Sequence, residues 1–112
     1  MKIAFTSKGK DLDALVDARF GRCEYILILD DETNEIEIIE NSDASQEAHG
    51  AGPKTAQKLF SSDINVLITG NGPGGNAATV LQRANLEIYI GAADKTIKDA
   101  LTAYKDNSLQ KL

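Results

Sequence analysis

The feature that most constrains this chain is a change of pattern midway along it. "EYILILD" (24–30) and "EIEIIE" (35–40) are β-rich runs joined only by "DETN". In the second run Glu35, Glu37 and Glu40 alternate imperfectly with Ile36, Ile38 and Ile39. Two such runs across so short a connection predict an antiparallel hairpin. Past Pro53 the rhythm turns helical. Proline suits a first helical turn, where its missing N–H needs no partner, and Ala56, Leu59 and Phe60 then make an apolar stripe. "NVLIT" (65–69) reads as a strand. "GNGPGGN" (70–76) leads into a helix carrying Ala77, Val80, Leu81 and Ala84, and "LEIYI" (86–90) is the last strand. Ile97, Ala100, Leu101 and Tyr104 share a final helical face, opened by a Thr96-x-x-Asp99 box. The tail "KDNSLQKL" is expected to fray.

With "KIAFT" (2–6) as the opening strand, the order is β-β-β-α-β-α-β-α. The 112 residues suffice for one core and hence one domain, 1–112. A meander followed by right-handed crossovers predicts an α/β fold: a five-stranded mixed sheet with helices on both faces. Ribonuclease H-like folds share this order. A nuclease of that type needs carboxylates projecting from the first strand to hold paired metals. "KIAFT" has none, and the net charge of −5 opposes a polyanionic substrate.

Charge excludes other partners too. Without a run of Lys or Arg, neither nucleic acid nor an anionic membrane is an expected partner. No stretch approaches the ~20 apolar residues of a membrane span. "MKIAFTSKGK" lacks the apolar centre of a signal peptide, so the expected location is cytoplasmic. A single cysteine, Cys23, allows no internal disulfide and no multi-cysteine cage.

Three loops, 7–23, 41–53 and 70–76, carry the chemistry. If the first strand and the strand at 65–69 are parallel neighbours, the loops leaving their C-terminal ends share one sheet edge, where open α/β sheets bind ligands. In the last loop Gly70, Gly72 and Gly75 spell G-x-G-x-x-G between strand and helix. A dinucleotide fingerprint needs a further βαβ half and an acid at the end of the next strand. Here only one strand and one helix follow, and Asp94 falls beyond "GAA". Asn76 and Ala77 stand where a Walker loop needs Lys and Ser or Thr. The glycines then serve either a tight turn into the helix or an anionic ligand at free backbone N–H groups.

In "DARFGRC" (17–23), Arg19 and Arg22 flank Gly21 and precede Cys23. Neighbouring guanidinium groups lower a thiol's pKa and favour the thiolate; the alternative is a small buried apolar residue. Phe20 reads as a packing anchor for the loop. His49, the sole histidine, lies just before the positive end of the Pro53 helix, which favours a neutral, metal-competent ring. Its alternative is an idle loop residue. Asp11, Asp13 and Asp17 lack the glycine and terminal Glu of a calcium loop and read as a solvated acidic face.

Taken together, "MKIAFTSKGKDLDALVDARFGRCEYILILD", "IIEN", "HGAGPKTAQKL", "VLITGNGPGGNA" and "IYIGAADKTIKDAL" resemble the dinitrogenase iron–molybdenum cofactor biosynthesis family over nearly the whole chain. The most specific pieces are Phe20-Gly21-Arg22 entering a strand and Thr69-Gly70-Asn71. The resemblance implies a small ribonuclease H-like domain acting as a non-catalytic, monomeric carrier of an anionic metal–sulfur cluster, of iron–molybdenum or molybdenum–copper type. It implies a pocket of Arg19, Phe20, Gly21, Arg22, Gly70, Asn71, Gly72 and Gly75, with Cys23 and His49 as metal ligands. Carriers commonly have His immediately before Phe-Gly; this chain has Arg19, which would hold the cluster by charge. The partners implied are cluster donor or acceptor proteins. The competing reading is a metal-free regulatory module docking a partner such as a P-loop ATPase.

Overall fold

The computed structural model describes residues 1–45, 51–73 and 75–112. In chain order its elements are strands β1 (Lys2–Ser7), β2 (Tyr25–Asp30) and β3 (Ile36–Glu40), helices α1 (Ser42–Ser45) and α2 (Ala51–Phe60), then β4 (Val66–Ile68), α3 (Gly75–Arg83), β5 (Glu87–Ile90), α4 (Ile97–Lys105) and β6 (Gln110–Lys111). They form one mixed sheet in the order β3-β2-β1-β4-β5-β6.

The hairpin expected from "DETN" is present. β2 and β3 pair antiparallel with Tyr25 opposite Glu40 and Leu29 opposite Ile36. Asn34 turns the chain with φ 61°, and its N–H donates to the Asp30 carbonyl at 2.8 Å. Asparagine tolerates that left-handed conformation better than most residues. β1 pairs antiparallel with β2 and parallel with β4, which in turn runs parallel to β5.

Strand residues alternate between two cores, because successive side chains leave opposite faces of a sheet. Ala4, Ile26, Ile28, Leu67 and Ile88 meet Ala56 and Leu59 of α2 and Ala77 and Leu81 of α3. Ile3, Phe5, Leu27, Leu29, Val66 and Ile68 meet Ile97 and Ala100 of α4. Helices thus cover both faces, and α4 is capped as its sequence predicts, the Thr96 hydroxyl accepting from Asp99 N–H at 3.1 Å.

Three expectations need correction. The sheet has six strands, not five. The tail does not simply fray: Asn107 reverses the chain with φ 59°, β6 pairs antiparallel with β5, and Leu112 N–H donates to Ile88 at 2.8 Å. Phe60 does not join the apolar stripe of α2 but is 60% exposed. Leu59 takes the inward direction at the helix end, and the next residue lies about 100° further round.

Candidate functional site

"KIAFT" and "NVLIT" both end in threonine, and the parallel pairing of β1 with β4 sets Thr6 and Thr69 side by side. Their hydroxyls lie 2.7 Å apart, both fully buried. Thr6 Oγ1 donates to the Asp17 carbonyl at 2.7 Å. A hydroxyl has one proton, so Thr69 is the donor between the two threonines. Asp17 N–H returns to the Thr6 carbonyl at 2.8 Å. The loop after β1 is thereby bolted to the ends of two strands.

The same loop is tied on its other flank. Val16 N–H donates to Lys95 at 2.8 Å, Ile97 N–H to Ala14 at 2.9 Å, and Leu15 bridges Thr96. Three loops, those following β1, β4 and β5, are joined: Asn71 N–H reaches Ala18 and Gly91 N–H reaches Gly70, each at 2.9 Å. Gly70 is what lets them close. A Cβ there would stand 2.5 Å from the Ala18 Cα and 3.1 Å from the Ala93 Cβ. Its lack of a side chain therefore serves loop-to-loop packing. Gly72 has φ 84°, and Gly75 opens α3.

Asp17 is not part of a solvated acidic face. It is 2% exposed, whereas Asp11 and Asp13 remain exposed. Its Oδ1 accepts from the Arg19 backbone N–H at 2.9 Å and from Arg19 Nε at 3.2 Å, and its Oδ2 accepts from Nη2 at 3.3 Å. The Arg19 side chain is 63% exposed, and hydrogen bonding to Asp17 raises its pKa further. Arg22 is half-buried.

Cys23 overturns the thiolate expectation. The residue has 0% exposure, and burial, then the nearby Asp17 charge, push its thiol up to about 12. The sulfur donates to the Phe20 carbonyl at 3.2 Å. Desolvation penalises the charged form of a thiol, and here it outweighs the lowering by the Asn41 hydrogen bond and the Lys58 charge. Phe20 is buried in the same core, as an anchor should be. Behind Cys23, the buried Asn41 amide donates to the Cys23 carbonyl at 3.0 Å and to the Thr55 hydroxyl at 2.9 Å, while Lys58 Nζ donates to its Oδ1 at 3.0 Å. The loop that carries Phe20, Gly21 and Arg22 is thus keyed to β3 and α2.

The structure brings the 17–23 segment and Gly70–Asn71 together as expected, and adds the loop at 91–96. It separates Arg19, on the surface, from Cys23, in the core. His49 lies outside the described residues. Among the described residues no group of three or more His, Cys, Asp or Glu could hold a metal ion. Thr6 escaped the sequence reading, Thr69 entered it only within Thr69-Gly70-Asn71, and Asp17 only as a solvated acid, although the matching threonines at two strand ends were a usable signal. The exposed donor on offer is the Arg19 guanidinium, which suits an anion held by charge and hydrogen bonds.

A model of the family described as dinitrogenase iron-molybdenum cofactor matches residues 1–107. An uncharacterized protein of Methanocaldococcus jannaschii is 32% identical over 95 residues, covering 82% of this chain and 78% of that one. The apo form of the orange protein from Desulfovibrio gigas superposes with a TM-score of 0.93 at 33% identity, covering 99% of this chain and 92% of that one. A Thermotoga protein solved by NMR and assigned to NifB and the DUF35 family gives 0.84 at 37% identity, with coverages of 99% and 92%. No helix among the described residues is long and apolar enough to cross a membrane.

Proposed function

The chain belongs to the dinitrogenase iron-molybdenum cofactor family, and from that premise we propose that it is a non-catalytic carrier of an anionic metal–sulfur cluster. The carrying observation is the exposed Arg19 guanidinium, held by Asp17 beside three loops that hydrogen bonds join at one sheet edge. The cargo is of iron–molybdenum or molybdenum–copper type, and it passes between donor and acceptor proteins of the cytoplasm, the carrier acting as a monomer. The strand order, with β2 alone antiparallel among β1–β5, supports the ribonuclease H-like reading of the fold.

Because Cys23 is buried, Arg19 bears the hold in this conformation; ligation by Cys23 would require its bond to Phe20 to open, and ligation by His49 is a separate expectation. Anaerobic reconstitution with tetrathiomolybdate plus copper, or with an iron–sulfur precursor, followed by gel filtration tests the reading through retained visible absorption. Wild type should keep colour, less as salt rises, since exposed charge interactions are screened. Arg19→Ala should lose most of it and Cys23→Ala little. Failure of wild type to retain any chromophore overturns the carrier reading. One observation favours the metal-free docking module, with a partner such as a P-loop ATPase, as the second reading: the exposed Phe60 ring on α2 is an apolar anchor open to a protein.

A further inference from the structure

The way Asp17 grips Arg19 leaves a defined part of the guanidinium uncommitted. A guanidinium carries five N–H donors in a rigid plane. Asp17 engages one edge of it, Nε to Oδ1 at 3.2 Å and Nη2 to Oδ2 at 3.3 Å. Among the described residues, no hydrogen-bond partner meets Nη1, so the end fork formed by Nη1 and Nη2 stands open. The fork is also anchored. Asp17 is buried, bonded to Thr6 through both its N–H and its carbonyl, and its Oδ1 additionally takes the Arg19 backbone N–H at 2.9 Å.

We propose that Asp17 is a positioning residue that presents the Nη1–Nη2 fork of Arg19 to a tetrahedral dianion, a thiometalate or the terminal two-sulfur edge of a cluster, which it grips through two acceptor atoms at once. This rests on the carrier reading for the identity of the cargo, and goes beyond it in assigning geometry rather than net charge as the means of recognition. A carboxylate beside the guanidinium cancels its charge at a distance, so an attraction working through charge alone is poorly served by Asp17. A fork is well served. An unpaired exposed arginine samples many rotamers, and the ordering that a bidentate contact requires is here completed on folding. Parallel N–H donors match two acceptors of one anion, which an ammonium cannot do.

The two accounts predict opposite signs for one substitution. Asp17→Asn removes a negative charge, so a site acting by charge would bind an anion more tightly; a site acting by the fork binds it less tightly. Tetrathiomolybdate, followed by its visible absorption, is the probe. For Asp17→Asn we expect affinity to fall about tenfold, the worth of roughly one charge-assisted hydrogen bond. Arg19→Lys should fall as far as Arg19→Ala. In wild type the Arg19 Nε–H signal in proton–nitrogen NMR should be sharp and should shift on adding the anion; in Asp17→Asn it should broaden. Undiminished or tighter binding by Asp17→Asn, or wild-type affinity in Arg19→Lys, overturns the proposal. Should Asp17→Asn fail to fold, Arg19→Lys, an exposed change, decides alone. If wild type binds tetrathiomolybdate through the fork yet retains no reconstituted cluster, the carrier reading falls and the fork stands. If wild type does not bind tetrathiomolybdate at all, the fork falls whatever the cluster experiment gives.

Discussion

The two ends of the sheet solve the problem of reversing the chain differently. At the end where β2 passes to β3 and α3 to β5, the turns are short and close mainly on themselves, with Asp31 N–H to the Met1 carbonyl at 3.1 Å as an outside tie. Asn34 and Asn85 adopt φ 61° and φ 57°, and their N–H groups bond within the same turn, to Asp30 at 2.8 Å and Gln82 at 3.2 Å. At the other end the chain leaves β1, β4 and β5 in loops that bond to one another, Asn71 to Ala18, Gly91 to Gly70 and Val16 to Lys95. A self-closed turn depends on its own few residues. A loop cluster depends on every member, so damage to one should spread to all, and the rigidity gained is what the anion site proposed at Arg19 requires.

The contrast is broken most sharply at Gly70. Adding a methyl group there drives it into the Ala18 backbone at 2.5 Å, and backbone shifts forced by overpacking cost about 3 kcal/mol. Gly91 has φ 92° but nothing within 4 Å of its absent Cβ. Gly91→Ala should therefore cost only the conformational penalty of roughly 1–2 kcal/mol. Urea unfolding of the two variants compares them directly; equal losses would mean that loop contact at Gly70 is no tighter than at an open turn.

Next in size is the threonine pair. Thr6→Val removes the middle hydroxyl and leaves the Asp17 carbonyl and the Thr69 hydroxyl without their partner, a loss of about 2 kcal/mol. Thr69→Val removes only the terminal donor, and about 1 kcal/mol is expected. Because both act on one chain of bonds, the double variant should cost less than the sum. Strict additivity would show that the two hydroxyls do not act as a unit.

Legibility in the sequence follows the same division. The turn at "DETN", the Thr96 cap and the alternating apolar strands were readable because each is settled by residues a few positions apart. β6 was not, because its pairing with β5 depends on Asn107 reversing the chain after α4. Asp17 was misread for a related reason. Nothing local says that a carboxylate will be buried; that follows from Thr6 and Arg19 closing around it. Cys23 and Arg19 illustrate the limit best. Four residues apart, they suggested one electropositive thiolate site, yet Phe20 packing inward draws the sulfur into the core while Asp17 holds the guanidinium outside. Proximity in sequence put both residues on one loop, and packing settled which of them is exposed and which is buried.

A smaller effect probes the core beneath the loop cluster. The Cys23 thiol titrates at about 12 in the fold against an ordinary 9.0. A pKa raised by folding contributes stability that is complete below the unfolded value and is lost as pH rises through the folded one. The loss should thus begin near 9 and reach about 1 kcal/mol by pH 10. Cys23→Ala should flatten that part of the alkaline profile while costing stability at neutral pH. Alkylation of native protein at pH 8 should be slow, accelerating in denaturant. Rapid alkylation of the native state would place the sulfur at the surface and restore it as a ligand.

The smallest effect belongs to the self-closed turns, and it is the sharpest control on the contrast. Asn34 and Asn85 already occupy the conformation that glycine enters without steric penalty. Asn34→Gly and Asn85→Gly gain that freedom and lose a little chain stiffness in the unfolded state, so each should change stability by less than about 0.5 kcal/mol. Since each turn closes on its own neighbours, the two changes should add within error, and neither should alter tetrathiomolybdate binding at the far end of the sheet. The turn variants and the loop variants thus make paired cycles on one molecule, additive at one end and coupled at the other. If the asparagine pair proves coupled as strongly as Thr6 with Thr69, cooperativity is a property of the whole sheet, and the loop cluster owes its rigidity to the core rather than to the bonds between its loops.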